Sequence, residues 1–138
     1  MKVTRFLFID DSVMDNFYIE ALIEIENLPI QAHFVQSVSD ALHYLYDQNT
    51  DTFPEVIVSD FFMPGQDGDE FVREYEKEFK NSFPDTLVFL TSAVVRNEQI
   101  DLLQKGSCVQ GFIEKPFMKG HLEETIMPLL FPTTLRAS

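Results

Sequence analysis

The feature that most constrains this chain is an alternation. Short apolar runs at 3–9, 31–36, 55–60, 86–91 and 110–114 take turns with amphipathic stretches at 13–27, 39–48, 67–80, 96–105 and 118–130. Strands that alternate with helices must be joined by crossovers, and crossovers build a parallel sheet covered by helices on both faces. The 138 residues, 45% of them hydrophobic, suit one domain with a substantial core. That domain is expected over 1–131, followed by a short tail at 132–138. With fourteen Phe and no Trp, the core should be rich in phenylalanine.

Two helices have clear stripes. Val13, Met14, Phe17, Tyr18, Ala21, Leu22 and Ile25 recur at helical spacing, as do Phe71, Val72, Tyr75 and Phe79. Both stripes are expected to face the core. Ser12 is placed to cap the first helix, with Asp15 three residues on. Pro128 falls inside the last helical stretch, where it removes a backbone donor and crowds the carbonyl of Glu124, so a kink or an end is expected there.

Composition removes several function classes. A net charge of −13 argues against direct nucleic-acid binding, which needs a basic footprint. The single cysteine, Cys108, leaves no internal disulfide and fits a reducing compartment. No signal-peptide pattern opens the chain and no apolar run is long enough to span a bilayer, so a soluble, cytoplasmic protein is expected. His33, His43 and His121 lie far apart and suggest structural roles, and the five glycines make no phosphate-binding loop.

The chemistry gathers at strand ends. Asp10 and Asp11 follow Phe6–Ile9, Asp60 follows Glu55–Ser59, Thr91 follows Thr86–Leu90, and Lys115 follows Gly111–Glu114. In an open parallel sheet the carboxyl ends of the strands form the ligand-binding rim. Neighbouring carboxylates repel unless a cation offsets them, and Mg2+ suits a few carboxylates plus waters. Asp60 becomes a candidate nucleophile toward phosphorus, with the Lys115 ammonium and the Thr91 hydroxyl placed to meet phosphoryl oxygens.

Taken together, Phe8-Ile9-Asp10-Asp11-Ser12, Val58-Ser59-Asp60 through Gly68, Leu90-Thr91-Ser92-Ala93 and Phe112-Ile113-Glu114-Lys115-Pro116-Phe117 resemble the receiver domain of two-component response regulators, over about residues 3–127. The resemblance implies a flavodoxin-like, doubly wound (βα)5 fold of the stand-alone, single-domain type. It implies that Asp60 accepts a phosphoryl group from a sensor histidine kinase or phosphotransfer protein. Asp11, Asp60 and the main-chain carbonyl of Phe62 would then bind Mg2+ directly, and Asp10 largely through a metal-bound water. Thr91 and Lys115 would hold phosphoryl oxygens, and Phe112 matches the aromatic switch position. Output would pass to a downstream protein by contact or phosphorelay. Such a protein is no enzyme beyond its own phosphorylation and dephosphorylation.

Three departures from the family pattern stand out. Phe62 and Ala93 are apolar where many relatives are polar, and the stretch from Gly106 to Phe112 is longer than usual. Other readings fit less well. A haloacid-dehalogenase-type phosphohydrolase needs Asp-x-Asp after the first strand, and Asp10-Asp11-Ser12 lacks that spacing. An FMN binder would set no two acids against its phosphate. An unphosphorylated adaptor would not need the whole set of acids, hydroxyl and amine.

Overall fold

The computed structural model describes residues 2–63, 65, 68–93 and 107–131, so the helix expected at 96–105 and the tail lie outside the described residues. Five strands, β1 (Thr4–Ile9), β2 (Ile30–Val35), β3 (Val56–Asp60), β4 (Leu87–Ser92) and β5 (Val109–Glu114), form one sheet in the order β2-β1-β3-β4-β5. Every pairing is parallel. From β1 the chain first builds outward to β2 and then crosses to β3 on the other side, so the direction of winding reverses between β1 and β3. The crevice at that reversal is where such sheets take ligands.

Side chains alternate across the sheet as a strand requires. Phe6, Phe8, Val56 and Val58 enter one core with Ile19 of helix α1 (Val13–Ile25) and with Leu122 and Ile126 of the C-terminal helix. Leu7, Ile9, Ile57 and Val88 enter the other with Val38, Ala41 and Leu45 of α2 (Val38–Tyr46) and Phe71 and Tyr75 of α3 (Gly68–Glu78). Helices therefore cover both faces. Every residue of β3 is buried, which explains its continuous apolar run.

Three expectations are corrected or refined. Most of the α1 stripe does not face the core: Phe17 is 63% exposed and Ile25 79%, and Val13, Met14 and Tyr18 are exposed with them. Asn16 and Ile19 are buried instead, with Leu22 and Ile23 packed partly against the core. Apolar residues lie nearly all round this helix, so the pattern could not say which side would pack. The Asn16 side chain turns inward, and its Nδ2 donates to the Asp10 carbonyl at 3.0 Å. The α3 stripe, in contrast, is buried as expected.

The C-terminal helix ends near Pro128 as expected, at Leu130. It winds as a π-helix over His121–Ile126 and as an α-helix over Met127–Leu130, so the winding changes just before the proline. The extra length before Phe112 becomes a bulge. Val88 pairs with Val109 but Phe89 with Gly111, which leaves Gln110 as the extra residue.

Candidate functional site

Asp10 and Asp60 sit side by side at the carboxyl ends of β1 and β3, both buried, and Asp11 follows on the exposed side. One carboxylate oxygen from each of the three lies within 4.8 Å of the others. The Asp10 loop is held from two directions. The Ser12 N–H donates to Asp10 Oδ1 at 2.9 Å, and Asn16 holds the Asp10 carbonyl. Ser12 Oγ in turn accepts from the Asp15 N–H at 3.1 Å and caps α1 as expected.

Thr91 is buried and lies directly across from Asp60 in the ladder between β3 and β4. Lys115 is carried in from the end of β5, where its N–H donates to the Ser92 carbonyl at 2.8 Å and its bond to Pro116 is cis. Its Nζ lies 2.8 Å from Asp10 Oδ2, 2.8 Å from Asp15 Oδ2 and 3.5 Å from Asp60 Oδ1. The five polar residues singled out in the sequence thus converge on one rim.

The chain leaving Asp60 folds back tightly. The Gly68 N–H donates to the Phe61 carbonyl at 2.7 Å. A Cβ on Gly68 would stand 2.9 Å from Phe61 Cα and 3.0 Å from the Asp60 carbonyl, too close for any side chain. Phe62 is 44% exposed and sets its ring edge-on to Phe61. Phe112 is half-buried, with its ring 6.2 Å from that of Phe61.

Burial pushes the Asp60 carboxyl up to about 6, aided by the charges of Asp10 and Asp11 and opposed by Lys115. Burial alone would lower the Lys115 ammonium. Hydrogen bonds to Asp10 and Asp15, with the charges of Asp10 and Asp60, outweigh that and raise it. One ammonium faces more carboxylates than it can neutralise. Partly buried excess negative charge on oxygen donors fits a hard divalent cation.

Two residues of this site escaped the sequence reading. Asp15 was visible only as a companion to the cap, and Asn16 only as a polar interruption of an apolar helix. The polar interruption was a usable signal. The Asp15–Lys115 contact joins residues 100 positions apart and left none.

The chain belongs to the response regulator receiver domain family, whose model matches residues 6–127. Among solved structures it is similar to a two-component response regulator from Cytophaga hutchinsonii, with 23% identity, TM-score 0.81, and 94% of this chain and 98% of that one covered. It is also similar to a response regulator receiver protein from Dyadobacter fermentans, with 25% identity, TM-score 0.79 and coverage of 91% and 97%. A two-component response regulator from Legionella pneumophila gives 26% identity, TM-score 0.71 and coverage of 98% and 99%. No curated protein matches the chain. No helix among the described residues is long and apolar enough to cross a membrane.

Proposed function

We propose that this receiver accepts a phosphoryl group on Asp60 from a histidine kinase or phosphotransfer protein and signals through protein contact or onward relay. The observation that carries this reading is the placement of Asp60. It is buried at the reversal of the sheet, beside Asp10 and Asp11 and 3.5 Å from an ammonium. The alternatives of a phosphohydrolase or an unphosphorylated adaptor have no observation of comparable weight.

Asp60, held near pKa 6, is largely ionised at neutral pH and keeps a nucleophilic oxygen. That oxygen attacks the phosphorus of a donor phosphohistidine. The new O–P bond forms as the P–N bond breaks, and the donor imidazole leaves with the electron pair. Asp11, Asp60 and the Phe62 carbonyl would hold Mg2+, with Asp10 acting through a water, and the ion would supply positive charge for the transferring group. Lys115 adds its ammonium and Thr91 its hydroxyl donor. Drawing Thr91 toward the phosphoryl oxygens gives the phosphorylated state contacts that the resting state lacks, which any switch requires. Phe112, on the neighbouring strand, is the side chain placed to respond.

A protein donor also suits the surroundings. Val13, Met14 and Phe17 follow closely on Asp11, Phe62 on Asp60 and Met118 on Lys115, and all five are exposed. Exposed apolar side chains so near the site residues in sequence suit a surface that a macromolecule covers.

The test is intact-mass spectrometry after incubation with acetyl phosphate and Mg2+. One phosphoryl group should add to the wild type, none to Asp60→Asn, and none to the wild type in EDTA. Equal labelling of Asp60→Asn would overturn the assignment.

A further inference from the structure

We infer that Asp15 is a positioning residue that holds Lys115 back from Asp60 and so sets how readily the phosphorylated state forms. The inference rests on the phosphoacceptor reading above. Lys115 has three N–H donors. Two are taken at 2.8 Å by Asp10 and Asp15, while Asp60 stands off at 3.5 Å. The ammonium is therefore drawn to the α1 side of the site.

The hold is well built. The Asp15 backbone is fixed in the first turn of α1 by the Ser12 cap, so its carboxylate is presented from a rigid element. An acid in a first turn is explained in general by the helix dipole. The dipole does not explain why this one meets a lysine 100 positions away.

The arrangement has a directional consequence. Asp15 lies outside the three-acid cluster, so a cation that neutralises Asp10, Asp11 and Asp60 leaves its pull on Lys115 intact. A phosphoryl oxygen on Asp60 must then compete with Asp15 for the ammonium. That competition opposes the phosphorylated state, and removal of the Asp15 charge should favour it.

The experiment measures beryllofluoride, a phosphoryl mimic, binding to the full chain in Mg2+. Asp15→Asn should bind about threefold more tightly than wild type, the scale expected of a partly exposed ion pair. In a Lys115→Met background the same substitution should change nothing, because the effect runs through the lysine. The Lys115 ε-methylene NMR resonance should also shift in Asp15→Asn with neither metal nor mimic present. Equal affinities of wild type and Asp15→Asn, a gain that persists without Lys115, or an unmoved resonance each overturn the inference while the phosphoacceptor reading stands. Failure of the wild type to bind the mimic overturns that reading and this inference with it.

Discussion

Helices α1 and α3 both begin at the acid rim, one after Asp11 and the other after the loop from Asp60, yet they use their apolar faces in opposite ways. In α3, Phe71, Val72 and Tyr75 are buried against the sheet, with Phe79 just beyond the helix. In α1, Val13, Met14, Phe17 and Ile25 face solvent, while Asn16 points inward to Asp10 and Asp15 reaches Lys115. A helical period tells which residues share a face. What that face meets is settled by the rest of the molecule. The α1 helix supports the site with polar groups and leaves an apolar surface beside it.

The two helices should differ most in what their apolar residues contribute to stability. Phe71→Ala should cost about 3–5 kcal/mol, and Phe17→Ala no more than about 0.5 kcal/mol, by urea denaturation. Equal losses would mean that the α1 face is packed after all.

The next effect comes from the acid rim both helices flank. The folded protein holds the Asp60 proton up to about pH 6, against 3.8 for the ordinary group. The folded state therefore binds the proton more tightly than the unfolded one, and metal-free stability falls as pH rises through that interval. Above it the full cost remains, on the order of 1–3 kcal/mol. Asp60→Asn should be more stable than wild type by that amount at neutral pH, and the two should converge near pH 4. A constant difference across the range would show that burial does not strain this carboxylate.

Smaller still is the loss from Asn16→Ala, about 1 kcal/mol, because a single buried hydrogen bond to the Asp10 carbonyl disappears. No loss in urea denaturation would remove the anchor that turns α1. The smallest effect sharpens the meaning of the exposed face. Phe17→Ser should slow labelling by a phosphorylated protein donor about threefold, the scale of one peripheral interface contact, and leave labelling by acetyl phosphate unchanged. Equal slowing with both donors would place the defect in the site rather than in docking.

The sequence made the sheet legible because the apolar runs give way to polar residues, Asp10, Asp60, Thr91 and Lys115, at or next to the strand ends. The α3 face was legible because its opposite side is strongly charged, with Asp69, Glu70, Arg73, Glu74 and Lys77. The α1 helix has no such contrast, and only the polar interruption at Asn16 pointed to the side that turns inward, where its side chain donates to the Asp10 carbonyl. The unusual length before Phe112 was visible, but its absorption at Gln110 depends on the pairing with β4. The lysine was legible as an amine at the same rim, placed to meet phosphoryl oxygens. Its hold on Asp15 depends on how β5 and α1 come together in three dimensions.

The most direct test of the central claim locates the phosphoryl group itself. The protein is labelled with acetyl phosphate in Mg2+, trapped, cleaved and mapped by tandem mass spectrometry. A single hydroxylamine-labile phosphoryl group is expected on the peptide that carries Asp60. A label on Asp10, Asp11 or a histidine, with Asp60 unmodified, would contradict it.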